Sequence, residues 1–182
     1  MPKYLFFIVI FSLLSACAGR VEPLLAAGDF TLEGKLSVSQ DGRNQSANFR
    51  WRQLGEQYDV EVWGLLGQGR TRLTGESEHL AIQRGGVLLA SGPPSEVMQA
   101  HLGFSLPVEV MWAWLQGYAA SGGENLVLGD NHELVGFEEY GWYVAFAKYR
   151  SFNDVDGQMR PSRIVASRGT QKVTVAIRRF LK

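Results

Sequence analysis

Polar and apolar residues alternate along much of this 182-residue chain, and that alternation limits its fold more than any other feature. In the first such stretch one parity is polar and the other apolar, the apolar residues being Phe30, Leu32, Leu36 and Val38. Because successive side chains of a strand point to opposite faces, this pattern indicates a half-buried strand. The same pattern recurs at 47–52, 58–62, 71–73 and 80–82. Such short strands, joined by Gly-rich turns and by Asp41-Gly42, predict an antiparallel meander, barrel or sandwich.

The middle of the chain has a different pattern. Pro93 and the residues after it predict a helix with Ser95 as its N-cap, running to about Leu102. Pro107 predicts the start of a second helix, where a missing N–H costs least, and Gly117 suits its C′ position. Three apolar residues of this second helix share one face at i, i+3 and i+4: Met111, Trp114 and Leu115.

Strand composition then resumes at 133–137, 142–149, 163–167 and 172–180. We therefore expect a mainly β (α+β) domain over residues 30–182, in which one antiparallel sheet is interrupted once by two short amphipathic helices. Such helices either line or plug a curled sheet, or they only complete its core. Residues 17–29 are expected to form a short tether before the single domain.

The N-terminus has the pattern of a secretory signal. Lys3 precedes an apolar run at 4–14, and small residues follow it. The run is shorter than the roughly 20 residues that a transmembrane helix needs. Leu-Ser-Ala at 14–16 and the chain's single cysteine, Cys17, resemble a bacterial lipobox. The resemblance implies a signal peptide over residues 1–16 and acylation of Cys17; the alternative is an ordinary signal peptide with an incidental cysteine.

The residue after the cysteine bears on location. Lipoproteins retained in the inner membrane resemble one another in having Asp at the second mature position, and this chain has Ala18. Ala18 therefore implies sorting to the outer membrane. Three acyl chains would hold the protein there firmly, because stable anchoring needs two lipid signals.

Charge is unevenly distributed although the net charge is zero. Residues 148–182 contain nine Lys and Arg against Asp154 and Asp156, so this part is strongly basic and the rest acidic. A basic surface could meet an acidic partner or anionic headgroups, and a solvated face explains it as well. The exported location and the zero net charge argue against a nucleic-acid partner.

The sequence offers little support for an enzyme. His79, His101 and His132 lack metal-ligand spacing, and there is no nucleophile elbow or phosphate-binding loop. Glu138 and Glu139 are adjacent, so in a strand they would point to opposite faces and could not share a proton. We expect no metal, no cofactor and no catalytic activity.

Short motifs along the whole mature chain resemble one family. They are FRWRQ at 49–53, LLG at 65–67, GFSLP at 103–107 before the helix face described above, GWYVAF at 141–146 with Tyr149, and VTVAI at 173–177 after Pro161. In this order behind a lipobox, they resemble the LolB family of outer-membrane lipoproteins, which receive other lipoproteins from the periplasmic carrier LolA.

This resemblance implies an incomplete antiparallel β-barrel wrapped around short helices, with an apolar cavity for acyl chains. The implied function is to take client lipoproteins from LolA and to release them into outer-membrane lipid. Such a carrier is needed because burying each CH₂ is worth about 0.8 kcal/mol, so acyl chains cross water slowly. We expect a monomer, lipid-anchored on the periplasmic face of the outer membrane of a Gram-negative bacterium.

Parity selects the residues expected to point into the cavity: Leu32, Leu36, Phe49, Trp51, Val60, Val62, Leu73, Met111, Trp114, Leu115, Val144 and Phe146. The resemblance makes Leu66, with Leu65, the tip of a loop that touches the bilayer. The alternative is that both leucines fold back over the end of the barrel. Two departures from the family pattern are Leu65 where Pro is usual and Phe180 where Trp is usual.

Two other functions remain open from the sequence. The first is a structural or scaffolding outer-membrane lipoprotein whose core is filled and which carries no ligand. The second is a lipid-modifying enzyme that depends on one of the three histidines, with a geometry that the sequence does not reveal.

Overall fold

The computed structural model describes residues 28–64, 67, 69–121, 123–152 and 157–181. Within them the chain forms two helices, α1 (Pro94–Leu102) and α2 (Val108–Trp114). The strands are β1 (Phe30–Gln40), β2 (Arg43–Leu54), β3 (Gln57–Trp63), β4 (Thr71–Glu76), β5 (His79–Arg84), β6 (Val87–Gly92), β7 (Glu124–Leu128), β8 (Leu134–Glu139), β9 (Trp142–Ser151), β10 (Met159–Arg168) and β11 (Gln171–Leu181).

The strands form one antiparallel sheet in the order β6-β5-β4-β3-β2-β1-β11-β10-β9-β8-β7. The chain therefore runs outward from β1 to one edge, crosses through both helices, and returns from the other edge to β11. Strands β6 and β7 are the edges and are not paired with each other, so the sheet is open. This confirms the expected incomplete antiparallel barrel. No described helix has the length and apolar character that crossing a membrane requires.

The predicted parity matches the observed burial. In β1 the side chains of Phe30, Leu32 and Val38 are buried while Lys35 is exposed. Their apolar face belongs to one core cluster that includes every residue of α2 except Glu109. A helix that is buried almost all round must lie inside the curl of the sheet, because solvent would otherwise reach one of its faces.

The turn between β1 and β2 is the predicted Asp-Gly hairpin. Asp41 has φ 49° and Gly42 has φ 77°, and Gln40 pairs with Arg43 across the turn. Two consecutive positive φ angles are typical of the type I′ turn, whose twist matches that of the flanking strands.

The helix boundaries differ from the predicted ones. The N-cap of α1 is Pro93 and no side chain caps it, so the prediction that Ser95 is the N-cap was wrong. Pro94 instead occupies the first helical position, where its fixed φ suits the helix. Pro107 is the N-cap of α2 rather than its first residue. Gly117 has φ 98° and its N–H donates to the Ala113 carbonyl at 3.1 Å, which closes the end of this segment.

The edge strands β6 and β7 were not predicted from the sequence. Val87, Leu88 and Leu89 are consecutive exposed apolar residues in β6, and every residue of β7 is exposed. An edge strand with both faces open has no reason to alternate, so the period-two signal is missing.

Two glycines allow the strands to approach closely where aromatic rings of the inner face lie across from them. Gly34 pairs with Phe49, and a Cβ on Gly34 would lie 2.2 Å from the Ala176 carbonyl oxygen. Gly75 pairs with Tyr58, and a Cβ there would lie 2.1 Å from the His79 carbonyl oxygen. Gly34 also marks the register shift between β1 and β11, where the sheet bends.

We predict that Gly34→Ala lowers the free energy of unfolding by about 1–3 kcal/mol, because backbone atoms must move to admit the new methyl group. Denaturant unfolding followed by tryptophan fluorescence measures the change. Gly28→Ala is the matched control, since a Cβ on Gly28 meets no atom within 4 Å. Equal stability of the two variants would contradict the proposed close approach.

Candidate functional site

A cavity of about 460 Å³ lies between the inner face of β1–β4 and the helices. Its volume falls in the range of small-molecule binding sites. Most of its wall is apolar side chains. The strand residues that line it include Leu36, Val38, Phe49, Trp51, Tyr58, Val60, Val62, Leu73 and Val175, and the residues from the helical segment are Met98, His101, Leu102, Phe104, Leu106, Val108, Met111 and Leu115.

In the aromatic part of the wall, the polar side-chain atom of Trp51 is hydrogen-bonded within the sheet and does not face the cavity. The Trp51 indole N–H donates to the Gln53 side-chain oxygen at 2.8 Å, and the Gln53 amide donates to the Gly55 carbonyl at 2.9 Å. Both Trp51 and Gln53 are buried. Because the indole N–H is hydrogen-bonded within the sheet, the Trp51 ring presents an apolar surface to the cavity.

Tyr58 is the polar exception in the deep wall. Its ring lies 5.6 Å from that of Trp51, and its hydroxyl is buried with no hydrogen-bond partner among the described residues. Burial raises the pKa of Tyr58 well above its ordinary value, and the nearby Glu109 and Glu76 carboxylates raise it further. The phenol is therefore neutral throughout the physiological range and adds no charge to the cavity.

The mouth of the cavity is more polar than its interior. Gln45, Ser46 and Thr71 lie there, together with Arg84, whose Nε donates to the Thr71 hydroxyl at 3.3 Å. Gly64 and Gly69, at the two ends of the β3–β4 connection, also line the cavity. The mouth therefore opens at the end of the barrel that carries this connection. Leu65 and Leu66, which the sequence singled out as a loop tip, lie outside the described residues.

Eight of the twelve residues expected to face the cavity do line it: Leu36, Phe49, Trp51, Val60, Val62, Leu73, Met111 and Leu115. The other four do not, and the expectation needs correcting for Leu32, Trp114, Val144 and Phe146. These four are buried in the packed core. The Trp114 ring makes edge contacts with Phe137 and Trp142, so α2 fills this half of the sheet interior and leaves the other half hollow.

Several lining residues were missed although signals for them existed. Val38 and Tyr58 share the inward parity of residues that were chosen. Met98, His101 and Leu102 follow the i, i+3, i+4 spacing of one face of α1. Phe180, where the family usually has Trp, is a fully buried core residue stacked on Phe30 at 5.6 Å.

A buried carboxylate holds the helical insertion to the sheet. Glu139 accepts hydrogen bonds from the Trp114 indole at 2.6 Å, from the Ser121 N–H at 2.6 Å and from the Ser121 hydroxyl at 2.7 Å. The Ala120 N–H adds a longer contact of 3.3 Å. Its neighbour Glu138 is exposed, so the two carboxylates point to opposite faces as predicted. No pattern in the sequence indicates that Glu139 has this structural role.

The histidines are not gathered into a site. His101 lines the cavity mouth, whereas His79 begins β5 at the opposite end of the barrel and His132 lies in the β7–β8 connection. Among the described residues there is no group of three or more His, Cys, Asp or Glu arranged to hold a metal ion.

Comparisons with known proteins agree with this architecture. The profile of the family described as outer membrane lipoprotein LolB matches residues 28–179. The outer-membrane lipoprotein LolB of Marinobacter nauticus is 31% identical over 164 residues, which cover 88% of this chain and 78% of that protein. That of Chromohalobacter salexigens is 29% identical over 161 residues, or 86% and 72%. The crystal structure of a LolA superfamily protein from Nitrosomonas europaea shares the fold, with TM-score 0.51, 10% identity, and coverage of 86% and 87%.

The structure is thus an open antiparallel barrel that holds helices inside and encloses an apolar cavity of ligand-binding size. The chain belongs to the LolB family of outer-membrane lipoproteins. Its role is therefore in lipoprotein sorting at the outer membrane rather than in catalysis, which confirms the family expected from the sequence motifs.

We predict that Glu139→Ala lowers the free energy of unfolding by about 3 kcal/mol, because each buried donor left without a partner costs about 1–3 kcal/mol. Denaturant unfolding measures the loss. Glu138→Ala, an exposed neighbour in the same strand, should change stability by less than about 0.5 kcal/mol. A double-mutant cycle with Trp114→Phe should show coupling; additive losses would mean that the indole hydrogen bond does not hold α2 in place.

Proposed function

We propose that the chain accepts lipoproteins from the carrier LolA, holds their acyl chains in the apolar cavity, and releases them into the outer membrane. The observation that carries this proposal is the cavity itself, which lies between β1–β4 and the helices and opens beside the β3–β4 connection. Family membership supports the sorting role, and the shape and chemistry of the cavity support acyl chains as the part of the client that is bound.

The lining suits a hydrocarbon chain. Val60, Leu73 and Met111 offer aliphatic and thioether surface, and methionine adapts to irregular apolar shapes. Each CH₂ moved from water into such a wall gains about 0.8 kcal/mol, so a long chain is held by many small contacts. Polar groups at the mouth, including Thr71 and Arg84, suit the polar part of a lipidated client, which must remain near water.

Transfer needs no energy source if affinities rise along the route. A cavity that binds the acyl chains more tightly than LolA does will take them, since a difference of 1.4 kcal/mol shifts the equilibrium tenfold. Release then requires a lower free energy for the client in the bilayer, where all its chains are surrounded by hydrocarbon.

Two further residues complete the proposal. Acylated Cys17 anchors the chain in the outer membrane, and Leu66 with Leu65 touches the bilayer during release. Gly64 and Gly69 border both the cavity mouth and the connection that contains these leucines. A client leaving the cavity therefore passes the same connection, which supports a role in release.

A structural or scaffolding lipoprotein with a filled core is the alternative function. The open volume of about 460 Å³ weighs against it, because protein interiors are otherwise close-packed.

We predict that Leu73→Trp reduces binding of a fluorescent fatty acid at least tenfold, because the larger ring occupies cavity volume and about 1.4 kcal/mol suffices for a tenfold loss. Titration of the acylation-free chain (Cys17→Ala) with the fatty acid measures the affinity. Thr74→Trp, on the opposite face of β4, should bind normally. If the parent chain shows no saturable binding, the scaffolding alternative is favoured.

We predict that Leu66→Glu prevents delivery of a client into the membrane while leaving acceptance from LolA intact, because a carboxylate opposes entry of the loop into lipid. The assay incubates a LolA–lipoprotein complex with the protein and vesicles and follows the lipoprotein. Leu65→Glu tests which leucine matters. Normal delivery by both variants would show that the β3–β4 connection has no role in release.

A further inference from the structure

The two ends of the barrel differ in charge. The register places the β1–β2, β3–β4, β5–β6, β8–β9 and β10–β11 connections at one end and the β2–β3, β4–β5, β7–β8 and β9–β10 connections at the other. We call the first the basic end, defined by four arginines of its turns and strand termini: Arg43, Arg70, Arg84 and Arg168. The acidic end is defined by Glu56, Glu76, Glu78, Asp130 and Glu133.

Three of the four arginines of the basic end are available to a partner. Arg43, Arg84 and Arg168 are exposed, and none forms an ion pair with another described residue. Arg70 is paired with Glu61 at 2.7 Å and lies over the Trp63 ring at 5.2 Å. Arg168 lies over the buried Trp142 ring at 4.6 Å, which holds its charge at this end of the barrel.

Carboxylates offset this charge only in part. Exposed Glu124 and Glu138 lie at this end in β7 and β8, where Glu138 accepts a hydrogen bond from the Asn125 side chain at 3.0 Å. In the described turns of the basic end the exposed acid is Asp41, which accepts a hydrogen bond from the Thr170 hydroxyl at 2.9 Å. Glu139 is buried and saturated by its own donors. The described hairpin turns of the acidic end contain no Lys or Arg, and the basic residues at its strand ends are Arg150 and Arg160. Acids therefore outnumber basic residues at that end.

The same end also exposes apolar side chains. Val87 and Leu88, which follow the β5–β6 turn, are 63% and 56% exposed, and Tyr140 in the β8–β9 turn is 56% exposed. Basic residues interspersed with exposed aliphatic and aromatic groups are typical of surfaces that lie on anionic lipid. A protein partner would require matching acids, whereas a bilayer matches both the charge and the apolar groups.

We propose that the basic end docks on anionic phospholipid headgroups of the bilayer, with Arg43, Arg84 and Arg168 as its electrostatic contacts. This inference deepens the proposed release step and rests on it. Docking brings the cavity mouth, which Arg84 and Gly64 line, against the membrane. The acyl chains then pass directly from cavity to lipid without crossing bulk water.

The test is binding of the mature chain carrying Cys17→Ala, which lacks the masking acyl anchor, to two kinds of vesicle. One is phosphatidylcholine alone and the other is phosphatidylcholine with phosphatidylglycerol. The test variant is Arg43→Gln/Arg168→Gln, which leaves the cavity residue Arg84 in place. Each charge near an anionic surface is worth about fivefold in affinity, so the variant should lose about 25-fold on anionic vesicles at low salt.

The charge-matched control is Lys35→Gln/Arg163→Gln, because Lys35 and Arg163 are exposed on the outer face of β1 and β10. It should lose much less, and Arg43→Lys/Arg168→Lys should bind like the parent. Equal losses in both Gln variants, or binding that is the same on both vesicles, would overturn the proposal. So would unchanged vesicle binding with impaired handover from LolA, which would assign the basic end to the carrier protein.

Fatty-acid binding by the same variants separates this proposal from the proposed function. The Arg43→Gln/Arg168→Gln variant should bind fatty acid normally, since neither residue lines the cavity. A parent chain that docks on anionic vesicles but binds no fatty acid would support docking and refute the acyl-chain cavity. A parent chain that binds fatty acid but not anionic vesicles would support the acyl-chain cavity and refute docking.

Discussion

The buried hydrogen bond between the Trp114 indole and the Glu139 carboxylate fixes the helical insertion inside the sheet. An open sheet with one apolar face must cover that face, and α2 covers only the β8–β11 half of it. Trp114 packs there against Phe137 and Trp142. Met111 and Leu115 lie between the two halves: they adjoin Ile164 and Val173 of β10 and β11, and they also form part of the cavity wall. The hollow therefore exists because the insertion is held to one side of the interior.

The sequence predicts most of this fold because the central strands have a buried face. That burial imposes alternation on β1–β5, and strand composition indicates β8–β11. It does not predict β6 and β7, because open edges carry no such constraint. The predicted N-cap at Ser95 was wrong for a different reason. Pro94 already fixes the first turn of α1, so no side-chain cap is needed there.

The site is less accessible to sequence reasoning than the fold. Parity separates inward from outward residues, but it cannot separate the hollow half of the interior from the packed half. Val60 and Val144 are both apolar residues on the inward-facing side of a predicted strand. Val60 nevertheless lines the cavity, whereas Val144 is completely buried in the core. The difference is set by where α2 lies, which depends on long-range contacts such as the one between Trp114 and Glu139.

The position of the domain's first strand links anchoring to the orientation of the cavity. β1 begins at the acidic end, where Asp29 accepts a hydrogen bond from the Gly55 N–H at 2.9 Å. The chain from Cys17 to Asp29 spans at most about 40 Å when extended, and β1 rises about 35 Å along its own axis. If Cys17 is acylated as proposed, the domain can therefore place its basic end on the same bilayer only when this segment runs along the sheet nearly extended. Under the proposed function, a less extended segment would turn the acidic end toward the membrane and the cavity mouth toward the periplasm, from which clients would arrive. Receiving and releasing a client would then be two orientations of one rigid domain, limited by the length of the chain that anchors it.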